Sequence, residues 1–422
     1  MTVRRDAAKH TRKKTPPRQP LQSTRAAKTP KEAFVNKTAR AFGARLRDRF
    51  FRTKWLVMLT VIIALVFFGR VTDIKSLTQS ALVIGLGIEK TGDSFAVSTL
   101  SVVVSGSAGG DNAQNYIVYS AEGATISEGL DAIAQKMGLL VSLSHCNVLV
   151  LSPSVFSVDH AQLFDPLISS YSLPEQAAVT ATEGAPSDVL AARTGTTVAS
   201  TYLVQAALLQ NLGGDGLTLV TVKDFLADSL SRSGSVNIPL VDVKEPEHQP
   251  EGQQEGSGST AELVMNRNLV VNGGDCFVLE EDLAQAATML VRKKVFGRLS
   301  PVLPGGEAVE FRVLDVAPKL AAEGMTVRAE LEVSVSFLEA QNSTESGKIT
   351  PSSAVVKAAA EQAAKDLEER IYACHALSLA HGADFLHLQN EVYKKAGYTL
   401  PENCLDGINF SCSVKVTVKE AG

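Results

Sequence analysis

The chain has 422 residues, of which 45% are hydrophobic, and a formal net charge of −4 at pH 7. This net charge identifies no class of partner, because the charges are distributed unevenly along the chain. The five cysteines include no C-x-x-C pair, which excludes the spacing of a zinc site.

Residues 1–54 form a basic tail that contains several prolines. The tail holds 17 Lys or Arg and 3 Asp or Glu, a net charge of +14, whereas the rest of the chain carries −18. It has too few large apolar residues to bury a core, so we expect it to be disordered. Near a membrane, such a tail attracts anionic lipid head groups by about 1 kcal/mol per basic residue. Nucleic-acid binding is not expected, since neither a fold nor an aromatic platform supports it.

An uncharged run from Trp55 to Gly69 follows the tail and is flanked by Lys54 and Arg70. As a helix it spans about 22 Å, against about 30 Å for the hydrocarbon core, but the flanking side chains can snorkel. The long basic region and the lack of a small-x-small site argue against a cleaved signal peptide. Uniform apolarity directly behind a basic tail argues against a buried core helix. We therefore predict a signal anchor at 55–71, with apolar residues Trp55, Leu56, Val57, Ile62, Ile63, Leu65, Val66, Phe67 and Phe68.

The charges beside the anchor predict its orientation. Arg52 and Lys54 precede the apolar run and belong to the basic tail, whereas the acidic remainder of the chain follows Arg70. Lys and Arg are retained on the cytoplasmic side of a membrane. The predicted topology places the N-terminus in the cytoplasm and about 350 residues outside.

The first outside domain, predicted at 73–243, begins with a hairpin. Two β-rich runs, Ala81–Glu89 and Ser94–Ser105, are separated by a short turn that contains glycine. Gly85 and Gly87 lack the third glycine and the following helix of a dinucleotide loop, so we interpret them as close-packing positions in a strand.

Further elements of this domain alternate between helix and strand. Tyr116–Ala121 is predicted as a strand, and Thr125 with Glu128 fits a capping box that opens a helix. Leu139–Leu151 is long enough for one buried strand or two short elements. Two more helices are predicted at Tyr202–Asn211 and Val222–Leu230. The final strand is Val236–Val243, where Pro239 favours an edge or a strand end.

Six segments of this domain, in order, resemble a known family. They read GLGIEKTGD, ATISEGLDAIAQ, SHCNVLVLSPSVF, AVTATEGAPSDVL, TVKDFLADSL and NIPLVDV. Their order and spacing resemble the N-terminal half of the Ger(x)C family, the C subunits of nutrient germinant receptors in endospore-forming bacteria. The resemblance places His145 at that family's histidine and makes it a candidate functional residue. A hydrogen-bonded structural role is the alternative.

Residues 244–260 are polar and rich in Gly, Pro and Gln, which predicts a linker or a long exposed loop. The second domain, predicted at 261–422, starts with β-like runs around the turn Asn272-Gly-Gly274, followed by a helix at Leu283–Val291. A long hairpin comprises Val309–Ala317 and Met325–Phe337, and its second strand alternates apolar and polar residues.

A long helix is predicted from Ser352 or Ser353 to about Ala380, with a second helix at Ala383–Lys395 and a last strand at Ile408–Val418. This arrangement, with its Asp384-Phe385 pair, is similar to the C-terminal half of the same family. Family members usually carry a lipobox cysteine after the apolar run. Gly69-Arg70-Val71-Thr72 has none, so the helix itself is the expected anchor and acylation is not expected.

The sequence contains no recognised catalytic motif. The sequence has no G-x-S-x-G elbow, no H-E-x-x-H pair and no phosphate loop, and its carboxylates are scattered. His375, His381 and His387 lie six residues apart, so they do not share a helix face as a metal pair does. We expect no metal and no cofactor. We expect each cysteine to pack in a core, and the sequence does not decide whether Cys374 and Cys404 form a disulfide bond.

These observations predict an α+β protein with a single N-terminal transmembrane helix and an outside region of two halves, or of three lobes. The resemblance implies a non-enzymatic, membrane-anchored subunit of a spore germinant receptor in the spore inner membrane. Its implied partners are the integral membrane A- and B-type subunits. The alternatives are an extracytoplasmic scaffold or binding module of another envelope complex and, third, a cell-wall hydrolase.

Overall fold

The computed structural model describes residues 54–55, 57–63, 80–103, 115–194, 197–198, 220–244, 262–292, 297–342, 345–348, 352–396 and 403–419. The chain divides into two units, residues 1–75 and residues 76–422. Most of the predicted tail lies outside the described residues. The same holds for part of the predicted anchor and its flanks, namely Arg52, Leu56, Leu65, Val66, Phe67, Phe68 and Arg70.

The described part of the anchor is helical. Residues 57–63 form a helix whose large apolar side chains are exposed, including Val57 at 63% and Ile63 at 58% of their surface. Within the described ranges, no helix combines the length and the hydropathy needed to cross a membrane. The anchor at 55–71 therefore stays a prediction.

A mixed sheet dominates the first half of the second unit, and nine of the described strands belong to it. Its order is β11-β10-β9-β6-β5-β1-β2-β3, with short β4 also pairing with β1. The centre is parallel and both sides are antiparallel. The strands are β1 (Ser80–Thr91), β2 (Ser94–Val103), β3 (Asn115–Gly123), β4 (Leu140–Ser142), β5 (Val148–Leu151), β6 (Ala178–Ala181), β9 (Ser235–Lys244), β10 (Glu262–Asn272) and β11 (Asp275–Leu279).

Helices cover both faces of this sheet. On one face α1 (Ile126–Met137), α2 (His160–Ser169) and α4 (Val222–Ser229) pack into a core with the strands. On the other face α3 (Pro186–Ala191) packs on a smaller cluster. The predicted hairpin, the β3 strand and the helices α1 and α4 are confirmed, and Leu139–Leu151 forms two short strands. The helix predicted at Tyr202–Asn211 lies outside the described residues.

The capping box at the start of α1 is confirmed with one change. Glu128 N–H donates to the Thr125 hydroxyl at 3.1 Å, as predicted. The Glu128 carboxylate accepts from the N–H of Ala124 at 2.9 Å rather than from that of Thr125. The side chain therefore reaches one residue further back and satisfies a donor just before the N-cap.

The prediction that Pro239 marks an edge or a strand end is wrong. Pro239 lies within β9, opposite Asn268 of β10, and β6 flanks β9 on its other side. A residue without an N–H is tolerated there because, in the described residues, β6 pairs with β9 only at Ala181 and Leu240.

The predicted linker 244–260 connects two neighbouring antiparallel strands. Lys244 at the end of β9 pairs with Glu262 at the start of β10. Strands β10 and β11 therefore extend the first sheet, although their sequence belongs to the predicted second domain. Gly273, with φ +60°, makes the turn between them, as the Asn272-Gly-Gly274 pattern indicated.

A second sheet has five described strands, in the order β12-β13-β14-β15, with β16 also pairing with β14. They are β12 (Gly297–Leu299), β13 (Glu307–Glu323), β14 (Thr326–Asn342), β15 (Glu345–Lys348) and β16 (Asn409–Val418). The alternation predicted for β14 is confirmed, because Val327, Leu331 and Val335 are buried. A two-stranded pair, β7 (Arg193–Thr194) and β8 (Thr197–Val198), is separate.

Three helices pack on the second sheet through one large core, namely α5 (Glu281–Val291), α6 (Ser353–His381) and α7 (Leu388–Ala396). The predicted start of α6 is confirmed, since the helix begins at Ser353, and the Ser352 hydroxyl caps it by accepting from the N–H of Val355. The prediction that the second helix begins at Ala383 is wrong, since α7 begins five residues later.

All five cysteines are free thiols. Cys146, Cys374, Cys404 and Cys412 are buried, as expected for core packing, and Cys276 is partly buried. Burial raises the pKa of Cys146 and of Cys374 to about 12. These thiols therefore stay protonated at neutral pH, when a thiolate would be needed for reactivity.

Gly87 supports a testable prediction about the close packing of β1 against α3. A Cβ atom on Gly87 would lie 2.8 Å from Pro186 Cβ and 3.2 Å from Leu190 Cδ1. We expect Gly87→Ala to lower the free energy of unfolding by about 1–3 kcal/mol, because the overpacked helix must shift. Thermal unfolding of the full chain, followed by circular dichroism, measures the effect.

The matched control is Gly305→Ala, whose Cβ would meet nothing within 4 Å. This variant should unfold like the wild type. Equal stability of both variants would contradict the role of Gly87 in close packing.

Candidate functional site

The turn between α6 and α7 contains the Asp384-Phe385 pair and forms the base of the candidate site. Helix α6 ends at His381, and Gly382 caps its C-terminus with φ +59°. The Ser378 hydroxyl then donates to the carbonyl of Ala383 at 2.6 Å and closes the turn. Asp384 and Phe385 are fully buried, so this short polar turn lies inside the protein.

The Asp384 carboxylate explains why α7 starts late. Its two oxygens accept the N–H groups of Leu388 at 2.9 Å and Gln389 at 2.7 Å, which caps the helix four residues further on. The Ser233 hydroxyl donates to the same carboxylate at 2.6 Å. Residues 383–387 are thereby held outside the helix, although their sequence suits one.

Burial and hydrogen bonding act on Asp384 in opposite directions. Burial raises the pKa of this carboxyl to about 6, while the three donated hydrogen bonds oppose the shift. The carboxyl therefore titrates just below neutrality, in contact with both halves of the molecule.

Asn390 of α7 binds the loop that follows α4. Its Oδ1 accepts from the N–H of Ser233 at 3.1 Å, which identifies its Nδ2 as the donor group. That Nδ2 donates to the Ser231 hydroxyl at 3.2 Å and lies 3.3 Å from His387 Nδ1. His387 Nδ1 must therefore be the acceptor, and the ring proton lies on Nε2.

His387 is held in an unusual backbone conformation beside an ion pair. Its φ of +57° belongs to the left-handed region, which costs free energy for a residue with a side chain. The Nε2 atom faces Asp228 Oδ2 at 3.9 Å, and the same oxygen accepts from Arg292 at 2.6 Å. Burial lowers the pKa of His387, so the ring is neutral at pH 7.

A cleft of about 590 Å³ opens above this network. It lies between the end of α4, the end of α5, strand β13 and the turn that leads into α7. The residues that line it are Asp228, Leu230, Ser231, Arg232, Val291, Arg292, Leu320, Leu386, His387, Asn390, Glu391, Tyr393 and Lys394. Its volume falls in the range of about 300–1,000 Å³ that is typical of small-molecule sites.

Among the described residues that line the cleft, no free carboxylate or imidazole nitrogen is available for a hydrolytic centre. Asp228 is bonded to Arg292, and Glu391 to Lys394, so the two acids are occupied by neighbouring bases. The unprotonated nitrogen of His387 accepts from Asn390 and so presents no lone pair to a substrate. In the described ranges, no group of three or more His, Cys, Asp or Glu could hold a metal ion.

The sequence-predicted candidate lies elsewhere. His145 is exposed in the turn between β4 and β5, and no structural feature assigns it a role. Among the predicted anchor residues, Trp55, Val57, Ile62 and Ile63 are described and exposed. Neither His145 nor any of these anchor residues lines the cleft.

Sequence reasoning missed the cleft because its residues are far apart in the chain. Ser233 and Asp384 are separated by 151 positions, and Asp228 and Arg292 by 64.

Two comparisons with known proteins gave a match, one to a family model and one to a solved structure. Residues 73–243 match the family model described as the spore germination protein N-terminal domain. A solved structure titled "Crystal Structure of the GerBC protein" aligns with 79% of this chain and 96% of that chain, at 12% identity and a TM-score of 0.42. No curated protein matches the chain.

The raised pKa of Asp384 gives a testable pH dependence. Between the ordinary value of 3.8 and about 6, the folded chain holds a proton that the unfolded chain has lost. The stability that this proton adds is complete below pH 3.8 and is lost as the pH rises through 6. Relative to Asp384→Asn, the wild type should lose about 2–3 kcal/mol of unfolding free energy across this window. Urea unfolding of both full chains at a series of pH values measures the difference.

Ser233→Ala serves as the control for this assignment. It removes one donor to the carboxylate and should move the wild-type window to higher pH. Parallel stability curves for the wild type and Asp384→Asn between pH 4 and pH 7 would show that Asp384 does not titrate there.

Proposed function

We propose that this chain is a Ger(x)C-type spore germination protein and acts as a non-enzymatic, membrane-anchored subunit of a nutrient germinant receptor. Its role in this proposal is to bind and stabilise the integral membrane A- and B-type subunits. The observation that carries the proposal is the family match over residues 73–243.

The lack of catalytic geometry in the cleft supports a non-enzymatic role. Retaining and inverting glycosidases need two carboxyl groups that face a substrate at about 5–9.5 Å. The two acids that line the cleft are instead bonded to Arg292 and Lys394. Because both acids are bonded to bases, the cleft also argues against the third alternative, a cell-wall hydrolase.

The membrane anchor rests on the sequence and on the exposure of its described part. The apolar side chains of the helix at 57–63 are about half exposed or more, which in water would be unfavourable. A bilayer is the environment that such a surface fits. With the basic tail in the cytoplasm, residues 76–422 face outward from the spore inner membrane, and the tail contacts anionic lipid head groups.

The anchor is tested by substitutions in its described helix. Leu59→Asp with Ile62→Asp should release the full chain from membranes, since each Asp costs about 2.5–3.5 kcal/mol near the bilayer centre. The fraction of protein that resists alkaline carbonate extraction measures anchoring. The control pair Leu59→Ala with Ile62→Ala should stay in the membrane. Retention of the double Asp variant would contradict the anchor.

Receptor membership is tested in spores that lack the gene. We expect germination by nutrients to be blocked while the response to calcium–dipicolinate is retained. The full chain should restore nutrient germination and should co-purify with a permease-like integral membrane protein. Normal germination with every nutrient tried would favour the scaffold of another envelope complex.

A further inference from the structure

The cleft above the Asp384 turn carries a net positive charge. Arg232, Arg292 and Lys394 line it together with Asp228 and Glu391, so the ionised groups sum to +1 with His387 neutral. Each acid already has a base from the cleft itself as its partner. Because both carboxylates are already bonded to bases, the lining is unsuited to a cation, whereas Arg292 and Lys394 keep further N–H donors for a negatively charged group.

Arg292 provides a specific anchor for such a group. Its guanidinium has donors on three nitrogens, and its bond to Asp228 uses Nη2 alone. The side chain is 25% exposed, so it is partly desolvated and still accessible. A hydrogen bond between a guanidinium and a carboxylate is stronger in such a setting than at an open surface.

Several apolar side chains also line the cleft. Leu230 is 80% exposed at the cleft, and Leu320 and Leu386 also contribute to the wall. The Arg232 guanidinium lies 5.6 Å from the centre of the Tyr393 ring. The aromatic ring adds a planar surface to the same lining as the leucines. A ligand that satisfies the whole cleft thus needs an apolar body as well as an acid.

We propose that this cleft binds a small organic carboxylate, with the acid on Arg292 and the apolar body against Leu230 and Leu320. The strained backbone of His387 fits this assignment, because strain of this kind concentrates at binding sites. The proposal goes beyond receptor membership and does not depend on it, since it needs only the cleft.

The test uses 4-fluorobenzoate as the probe and the full chain in lipid nanodiscs. Line broadening of the ¹⁹F signal, corrected with empty nanodiscs, reports binding. The isosteric, uncharged 4-fluorobenzamide should bind at least about tenfold more weakly, because it cannot form the charged hydrogen bond. Equal binding of the two probes would overturn carboxylate recognition.

A matched pair of variants locates the site. Asp228→Asn with Arg292→Gln removes both partners of the ion pair in the cleft and leaves no unpaired charge, so the fold is retained. We expect binding to weaken about tenfold. Glu310→Gln with Arg298→Gln removes another ion pair, of 2.7 Å, outside the cleft lining and should leave binding unchanged. Wild-type affinity in the cleft variant would overturn the proposal.

Lys394→Gln provides an independent check that leaves the buried network intact. Its side chain is 65% exposed, so the substitution should not affect folding. Loss of the Lys394 charge should weaken binding of the probe by a smaller factor than the double substitution of Asp228 and Arg292 does. Unchanged affinity in both variants would place the bound probe outside this cleft.

Discussion

The buried carboxylate of Asp384 is the constraint on which the junction of the two halves depends. It accepts one hydrogen bond from Ser233 of the first half and two from the start of α7 in the second. A buried acid without such donors would be too costly to keep, so the three elements must meet in one arrangement. Around this point, Phe277 of β11 stacks on His381 at 4.0 Å and also contacts Phe385, which adds apolar burial to the polar junction.

The same constraint accounts for the conformation of His387. Because Asp384 caps α7 at Leu388 and Gln389, the residue before the helix must turn sharply, and His387 adopts φ +57°. A glycine would remove the strain, but it would also remove the imidazole that Asn390 contacts and that faces Asp228. The backbone strain at His387 is therefore offset by contacts of its side chain, which links the turn to the ion pair between Asp228 and Arg292.

The accuracy of the sequence analysis follows the range of the interactions involved. Local patterns predicted the hairpin of β1 and β2, the alternation along β14 and the cap at Thr125, since each depends on neighbours within a few residues. The start of α7 was misplaced because residues 383–387 have a helical composition, while the Ser233 hydroxyl that helps to hold them apart is 151 positions away. Pro239 was misplaced because its tolerance depends on how little of β9 is paired with β6. No local sequence pattern predicts the cleft, because its residues are far apart in the chain.

The first sheet extends beyond the region that matches the family model. The matched region ends at residue 243, within β9, yet the first sheet continues into β10 and β11. Val236, Ile238 and Leu240 of β9 are fully buried, and β10 covers one edge of that strand. A chain cut after residue 243 would expose this edge, which is a template for pairing with other chains. Strands β10 and β11 are therefore part of the folding unit that the N-terminal domain needs, and the two halves share a sheet as well as a junction.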